Sequence, residues 1–163
     1  LDYSREREPL GTGGALRLAL ERLTGDTLLV MNGDSYVDHD LGALLAAHRA
    51  GGAPGTLLLT EVADAGRYGR VERDASGRLT AFLEKTAGGR GWINAGVYVL
   101  GRALLEGLPA GRKLSLEQDI LPRWVPLGLR GHETRGRFID IGTPESYAAA
   151  ESFFAVLNES SRP

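Results

Sequence analysis

The sequence contains no cysteine, which excludes a disulfide frame, an iron–sulfur cluster and cysteine-ligated zinc. Any metal must then be held by Asp, Glu, His or backbone oxygen, and that favours a hard cation such as Mg²⁺. Nor is there a basic surplus. Nineteen Lys and Arg face twenty-one Asp and Glu, a formal net charge of -2, so no nucleic-acid partner is expected. No apolar run approaches the roughly 18 residues that cross a bilayer, and Leu1 to Pro9 is charged where a secretory signal would be apolar. The expectation is no membrane partner and a cytoplasmic location. His39, His48 and His132 show no ligand spacing, and Ser4, Ser35 and Ser115 have no evident His and Asp partners, which removes support for a hydrolase triad. What is present, 163 residues with 42% hydrophobic and 25% charged, is the composition of one soluble globular domain. That domain is assigned to residues 1–157, with 158–163 as a polar, fraying tail.

Periodicity divides the chain into alternating helices and short apolar strands. Ala15 to Leu23 carries Leu16, Ala19, Leu20 and Leu23 at helical spacing, with Gly11 to Gly14 before it as a loop. Thr27 to Met31 is a continuous apolar run of the kind that forms a strand buried on both faces. Leu41 to Ala50 predicts a helix capped by Asp40, and Thr56 to Thr60 the next strand. Arg70 to Arg73 and Leu79 to Glu84 predict a hairpin around Asp74-Ala75-Ser76-Gly77, set in an otherwise parallel pattern. Trp92 to Leu100, Leu129 to Glu133 and Arg137 to Ile141 predict further strands. Helices follow near Arg102 to Gly107, from Ser115 to about Trp124, and from Pro144 to about Leu157, where Pro144 occupies the first helical position. The chain opens at Leu1 without an initiator Met, and Asp2 to Glu6 reads as a strand end passing into a loop, as in a fragment of a longer chain.

Several residues could carry chemistry. Glycines ahead of a helix leave amide N–H groups at its positive end, which suits a phosphate, although the spacing matches neither the P-loop nor the dinucleotide fingerprint. Asp34 and Asp140 each close an apolar strand. A lone Asp there is more often a turn former, but two carboxylates at two strand ends of one sheet could meet across a cation. Glu84 and Lys85 set an acceptor beside a cation at a strand end, where a solvated pair is the plainer reading. Asn94 lies among Ile93, Val97 and Val99, and an amide in such a strand requires a partner.

Taken in order, Pro9-Leu10-Gly11-Thr12-Gly13-Gly14-Ala15, Asn32-Gly33-Asp34-Ser35, Arg67-Tyr68-Gly69, Phe82-Leu83-Glu84-Lys85, Ile93-Asn94-Ala95-Gly96-Val97-Tyr98 and Phe138-Ile139-Asp140-Ile141-Gly142-Thr143-Pro144 resemble the sugar-1-phosphate nucleotidylyltransferases. The wording is closest to the guanylyltransferases of heptose or mannose 1-phosphate, and the likeness runs from about Pro9 to Tyr147. It implies a Rossmann-like, GT-A-like α/β fold, a mixed sheet flanked by helices. It also implies that a nucleoside triphosphate, GTP favoured, and a sugar 1-phosphate give nucleotide sugar and pyrophosphate for polysaccharide biosynthesis. By the same resemblance, Pro9, Leu10, Gly11, Thr12, Gly13, Gly14, Asn32 and Gly33 would face the nucleotide, and Asp34 and Asp140 would hold Mg²⁺. Tyr68, Gly69, Glu84 and Asn94 would face the sugar hydroxyls, and Lys85 the sugar phosphate, so that Asp34, Lys85 and Asp140 would be the catalytic set.

The chain departs from that family at its start. Leu1 to Gly14 contains nothing like the strand and glycine-rich loop, bearing an arginine and followed by a lysine, that grip the triphosphate, so the N-terminal strand-loop-helix units are expected to be absent and turnover by these residues alone strongly reduced. A non-catalytic nucleotide-sugar-binding or regulatory subunit of the same fold is the alternative. A glycosyltransferase of related fold would want an Asp-x-Asp pair where Asn32-Gly33-Asp34-Ser35 stands. Oligomeric state is left open, a homo-oligomer being compatible.

Overall fold

The computed structural model describes residues 1–83 and 88–160. The elements are α1 (Gly11–Ala19), β1 (Thr27–Met31), β2 (Ser35–Val37), α2 (Leu41–Gly51), β3 (Gly55–Val62), β4 (Arg70–Arg73), β5 (Leu79–Leu83), β6 (Gly91–Gly101), α3 (Arg102–Glu106), a π-helical turn (Leu116–Ile120) running into α4 (Leu121–Trp124), β7 (Arg130–Thr134), β8 (Phe138–Asp140) and α5 (Pro144–Ser160). One sheet runs β5-β4-β6-β3-β7, with β1 also on β6, while β2 and β8 form a separate two-stranded ribbon.

The organising strand is β6, whose sequence GWINAGVYVLG is apolar at nearly every position and buried over most of its length because both faces are covered. One edge of it pairs with β3; the other is shared, with Ile93 opposite Arg70 of β4 and Val97 to Gly101 opposite β1. Register against β3 shifts between Leu57 and Leu59. Gly96 lies opposite this shift with φ +76, a left-handed conformation that glycine adopts without steric cost. A Cβ there would fall 2.5 Å from Ser35 Oγ, so the bulge also lets β6 approach the segment after β1.

Each face of the sheet buries its own apolar cluster. Leu57, Leu59, Tyr98 and Leu100 pack with Leu20, Leu105, Leu121 and Trp124 from the α1, α3 and α4 side. On the other face Leu58, Val97 and Val99 meet Leu44 of α2, with Val37 and Phe138 of the ribbon against them. The α2 helix starts where its cap predicts, Asp40 Oδ1 accepting from the Gly42 N–H at 2.7 Å.

Five expectations change. The sheet is largely antiparallel, and β3–β7 is its one parallel pair among the described residues. A doubly buried apolar run has the same composition in either direction, so composition could not choose. Thr27 to Met31 is not buried on both faces, since Leu28 is buried while Leu29 and Met31 are 41% and 53% exposed. Gly11 to Gly14 is the first turn of a helix rather than a loop. Residues 2–6 form no strand. Finally, α5 continues through Ser160, past the boundary expected at Leu157, because nothing at Asn158 or Glu159 breaks a helix.

Candidate functional site

β1 delivers Asn32, Gly33 and Asp34 to the edge of the bulge. The Asn32 N–H donates to the Gly96 carbonyl at 2.8 Å, so the turn is tied to the central strand. The ribbon then brings in β8, with Ser35 opposite Asp140 and the Ile141 N–H donating to the Asp34 carbonyl at 2.8 Å. The bend carrying Asp34 is thus tied to the strand that ends in Asp140, although the two residues stand 106 positions apart in sequence. The expected placement at two strand ends of one sheet is corrected on this point: Asp140 belongs to the small ribbon, and Asp34 sits in the bend before it. Gly142 N–H donates to Asp140 Oδ1 at 3.1 Å, an Asx turn ahead of α5. Among the described residues neither carboxylate enters an ion pair.

Two all-oxygen carboxylates without a cationic partner fit a hard ion that keeps several waters and shares phosphate oxygens of its substrate, the habit of Mg²⁺. They do not make a dedicated protein cage, and among the described residues no cluster of three or more His, Cys, Asp or Glu gathers at metal distance.

Tyr68 flanks the same place. Its ring meets Phe138 of β8 edge-on at 5.8 Å and the Arg67 guanidinium lies 5.7 Å from its centroid. Burial raises its phenol pKa, Arg67 opposes, and the negative charge of Asp140 adds to the rise. A Cβ on the adjacent Gly69 would sit 2.9 Å from the Phe82 ring, so this position is small for packing reasons. Glu84 and Lys85 lie outside the described residues.

Asn94 has the partners that its position demands. Its Oδ1 accepts from the Gly96 N–H at 3.1 Å and its Nδ2 donates to Tyr98 Oη at 2.5 Å. Tyr98 Oη donates onward to Glu117 Oε1 at 3.2 Å. Glu117 Oε2 accepts from Thr12 Oγ1 at 2.9 Å and Ser115 Oγ at 3.2 Å, and Thr12 Oγ1 accepts from the Leu116 N–H at 2.8 Å. Burial, followed by the charge of Glu117, drives the Tyr98 pKa upward, so the phenol remains a donor at every ordinary pH. The pattern places a helix start at Ser115, and Ser115 does cap that turn, its Oγ accepting from the Gln118 N–H at 3.1 Å; Glu117 is not among the expected site residues.

The glycine segment differs most from expectation. Gly13 and Gly14 N–H both donate to the Leu114 carbonyl, at 2.9 and 3.3 Å, and the Leu114 N–H returns to the Leu10 carbonyl at 2.8 Å. Their amides are therefore not open to a phosphate. The residues are small because chain packs on chain: a Cβ would lie 2.1 Å from Ile120 Cδ1 at Gly13 and 2.4 Å from the Arg112 carbonyl at Gly14. A cavity of about 330 Å³ opens beside this turn, lined among others by Thr12, Ala15, Leu16, Val30, Asn32 and Gly33. Of the expected nucleotide residues it takes in Thr12, Asn32 and Gly33, and not Pro9, Leu10, Gly11, Gly13 or Gly14.

The histidines lie elsewhere in the molecule. His48 Nδ1 meets Thr56 Oγ1 at 3.0 Å in the interior, and His39 and His132 stack edge to face at 5.0 Å.

The Asn32-Gly33-Asp34 turn thus follows an apolar strand of an α/β fold and lies beside Asp140 and an open cavity, the kind of place where such folds bind ligands. The family model described as nucleotidyl transferase matches residues 1–156. The chain belongs to that family. It is 38% identical over 151 residues to mannose-1-phosphate guanylyltransferase of Mycobacterium tuberculosis, covering 90% of this chain and 42% of that protein. To D-glycero-alpha-D-manno-heptose 1-phosphate guanylyltransferase of Aneurinibacillus thermoaerophilus it is 37% identical over 153 residues, 93% of this chain and 66% of that protein. The crystal structure of HddC from Yersinia pseudotuberculosis superimposes with a TM-score of 0.80 at 34% identity, over 91% of this chain and 64% of that one; the same protein has also been solved complexed with GMP-PN. The chain therefore spans less than two thirds of the length of these relatives. Among the described residues no helix is long and apolar enough to cross a membrane.

Proposed function

We propose that these residues form the metal-binding and sugar-binding part of a sugar-1-phosphate guanylyltransferase, which joins GTP and a heptose- or mannose-type 1-phosphate into a GDP-sugar and releases pyrophosphate. The observation that carries the reading is the β2–β8 ribbon, which ties the bend carrying Asp34 to the strand that ends in Asp140, in a chain of the nucleotidyl transferase family. The names of its relatives support the choice of guanine and of a hexose or heptose.

The sugar phosphate oxygen attacks the α-phosphorus, and pyrophosphate leaves in line with no covalent enzyme intermediate. Two anions must approach, so charge neutralisation and placement dominate the barrier. Asp34 and Asp140 would hold a Mg²⁺, which would supply positive charge at the phosphate oxygens. Thr12, Asn32 and Gly33 border the nucleotide, while Tyr68, Gly69 and Asn94 border the sugar. The roles of Glu84 at a sugar hydroxyl and Lys85 at the sugar phosphate rest on the resemblance of Phe82-Leu83-Glu84-Lys85. Gripping of the β- and γ-phosphates is not assigned to Gly13 or Gly14, whose amides are already bonded. The second reading is a subunit of this fold that binds nucleotide sugar without turning it over. Nucleotide substrates accord with a cytoplasmic enzyme.

The test is pyrophosphate release with Mg²⁺ across the four ribonucleoside triphosphates and dTTP, each with heptose, mannose, glucose and N-acetylglucosamine 1-phosphates. Release with GTP and a heptose or mannose 1-phosphate, lost in Asp34→Asn, is the expected outcome. Silence across the panel with retained GDP-sugar binding would favour the binding subunit, and release from a different base would overturn the guanine assignment.

A further inference from the structure

The bonds linking Thr12 to Asn94 have only one consistent set of directions. Asn94 Oδ1 is taken by the Gly96 N–H, so Nδ2 faces Tyr98 and must donate. A phenol has one proton; Tyr98 Oη, already accepting from Asn94, therefore donates to Glu117 Oε1. Thr12 Oγ1 accepts from the Leu116 N–H and so commits its single proton to Glu117 Oε2. One carboxylate thus collects donors from both sides, each oxygen serving a different half of the site. Its three donors are neutral hydroxyls, from Thr12, Ser115 and Tyr98, and among the described residues no Lys or Arg pairs with it.

One end of the chain of bonds lies at the cavity and the other on the central strand. Thr12 lines the cavity of about 330 Å³ beside Asn32 and Gly33. Asn94 belongs to the central strand at the Gly96 bulge, and its carboxamide has one N–H not engaged by Tyr98. Tyr98 is wholly buried between them, so neither solvent nor a rotating phenol breaks the link.

We propose that Glu117 is a positioning residue that couples the nucleotide cavity to the sugar side of the site, through Thr12 on one oxygen and Tyr98 with Asn94 on the other. The inference rests on the guanylyltransferase reading above. A nucleotide that fixes the first turn of α1 fixes the Thr12 hydroxyl, and with it the carboxylate on which Tyr98 and Asn94 depend. Asn94 is then held with one N–H on Tyr98 and the other not engaged by it. Ordering of one ligand's contacts lowers the ordering cost of the other, and the effect is reciprocal.

The test measures the dissociation constant of a non-hydrolysable GTP analogue on the full chain, with and without saturating mannose or heptose 1-phosphate, whichever the pyrophosphate assay selects. The wild type is expected to bind the analogue about tenfold more tightly when the sugar phosphate is present, within the usual range of coupling between sites. Glu117→Gln keeps the shape but offers one acceptor oxygen in place of two, so the ratio should fall to within about twofold of unity. Thr12→Val should abolish the ratio, and Thr12→Ser, which restores the hydroxyl, should recover it. This pair carries the test if the Gln variant does not fold. A Glu117→Gln protein that keeps the tenfold ratio overturns the inference, as does a wild type whose ratio is one; in both cases the guanylyltransferase reading stands if GTP is still consumed. A wild type that binds neither ligand and releases no pyrophosphate removes that reading and the inference together.

Discussion

The glycine-bearing turn of α1 and the β2–β8 ribbon with the Asp34 bend before it treat their polar groups in opposite ways. In α1 the Gly13 and Gly14 N–H groups are both spent on the Leu114 carbonyl. In the ribbon the backbone is also paired, but the Asp34 and Asp140 carboxylates have no cationic partner among the described residues. The two glycine amides that look built for phosphate are therefore internal architecture, whereas two residues that look like ordinary turn formers hold charge with no cationic partner among the described residues. Ligand-binding capacity follows what remains unbonded after folding, not which residue types occur.

The sharpest way to break this comparison is to neutralise the ribbon. Asp140→Asn should lower pyrophosphate release at least about a hundredfold with the thermal midpoint nearly unchanged, as expected when a charge that acts mainly on the reacting phosphates is removed. The glycine turn should give the reverse pattern. Gly14→Ala places a Cβ 2.4 Å from the Arg112 carbonyl, a backbone atom that cannot swing aside, so a loss of about 1–3 kcal/mol in urea unfolding is expected, reading as instability before it reads as lost nucleotide affinity. Tyr98→Phe is smaller. It strips the hydroxyl between Asn94 and Glu117 and should cost about 1–2 kcal/mol, the usual penalty for a partly buried donor or acceptor left without its partner.

The smallest effect concerns pH. Burial, reinforced by Arg49, lowers the pKa of His48, and burial reinforced by His39 lowers that of His132. In both the fold disfavours the charged form, so the unfolded chain takes up protons first as acid is added. Their contribution is fully present above about pH 6.5, the unfolded value, and is lost as pH falls toward the folded values. The urea midpoint should therefore drop between pH 7.5 and pH 5, less steeply in His132→Asn; an unchanged slope in that variant would remove His132 from the account.

Much of the fold was legible in the sequence. Thr56 to Thr60, Trp92 to Leu100 and the Asp40-capped helix lie where pattern and capping place them. Strand direction was not legible, because Leu57 to Leu59 is apolar whether its neighbour runs with it or against it. The helical start at Gly11 was hidden for another reason: what holds Gly13 and Gly14 in a helix is the Leu114 carbonyl, about a hundred residues onward, and local propensity cannot register it. The same distance concealed Glu117, whose partners Thr12 and Tyr98 lie 105 and 19 residues away. Only Asn94 announced its need, as an amide within an apolar strand, and the structure supplies the partners it required.

The central claim is that Asp34 and Asp140 act as one unit on one ion. Its most direct test is a double-mutant cycle on pyrophosphate release, comparing Asp34→Asn, Asp140→Asn and the pair at saturating Mg²⁺. Residues that serve one ion lose their effect together, so the double variant should be no slower than the worse single by more than about threefold. Losses that multiply, each single variant contributing its full factor independently, would contradict a shared site.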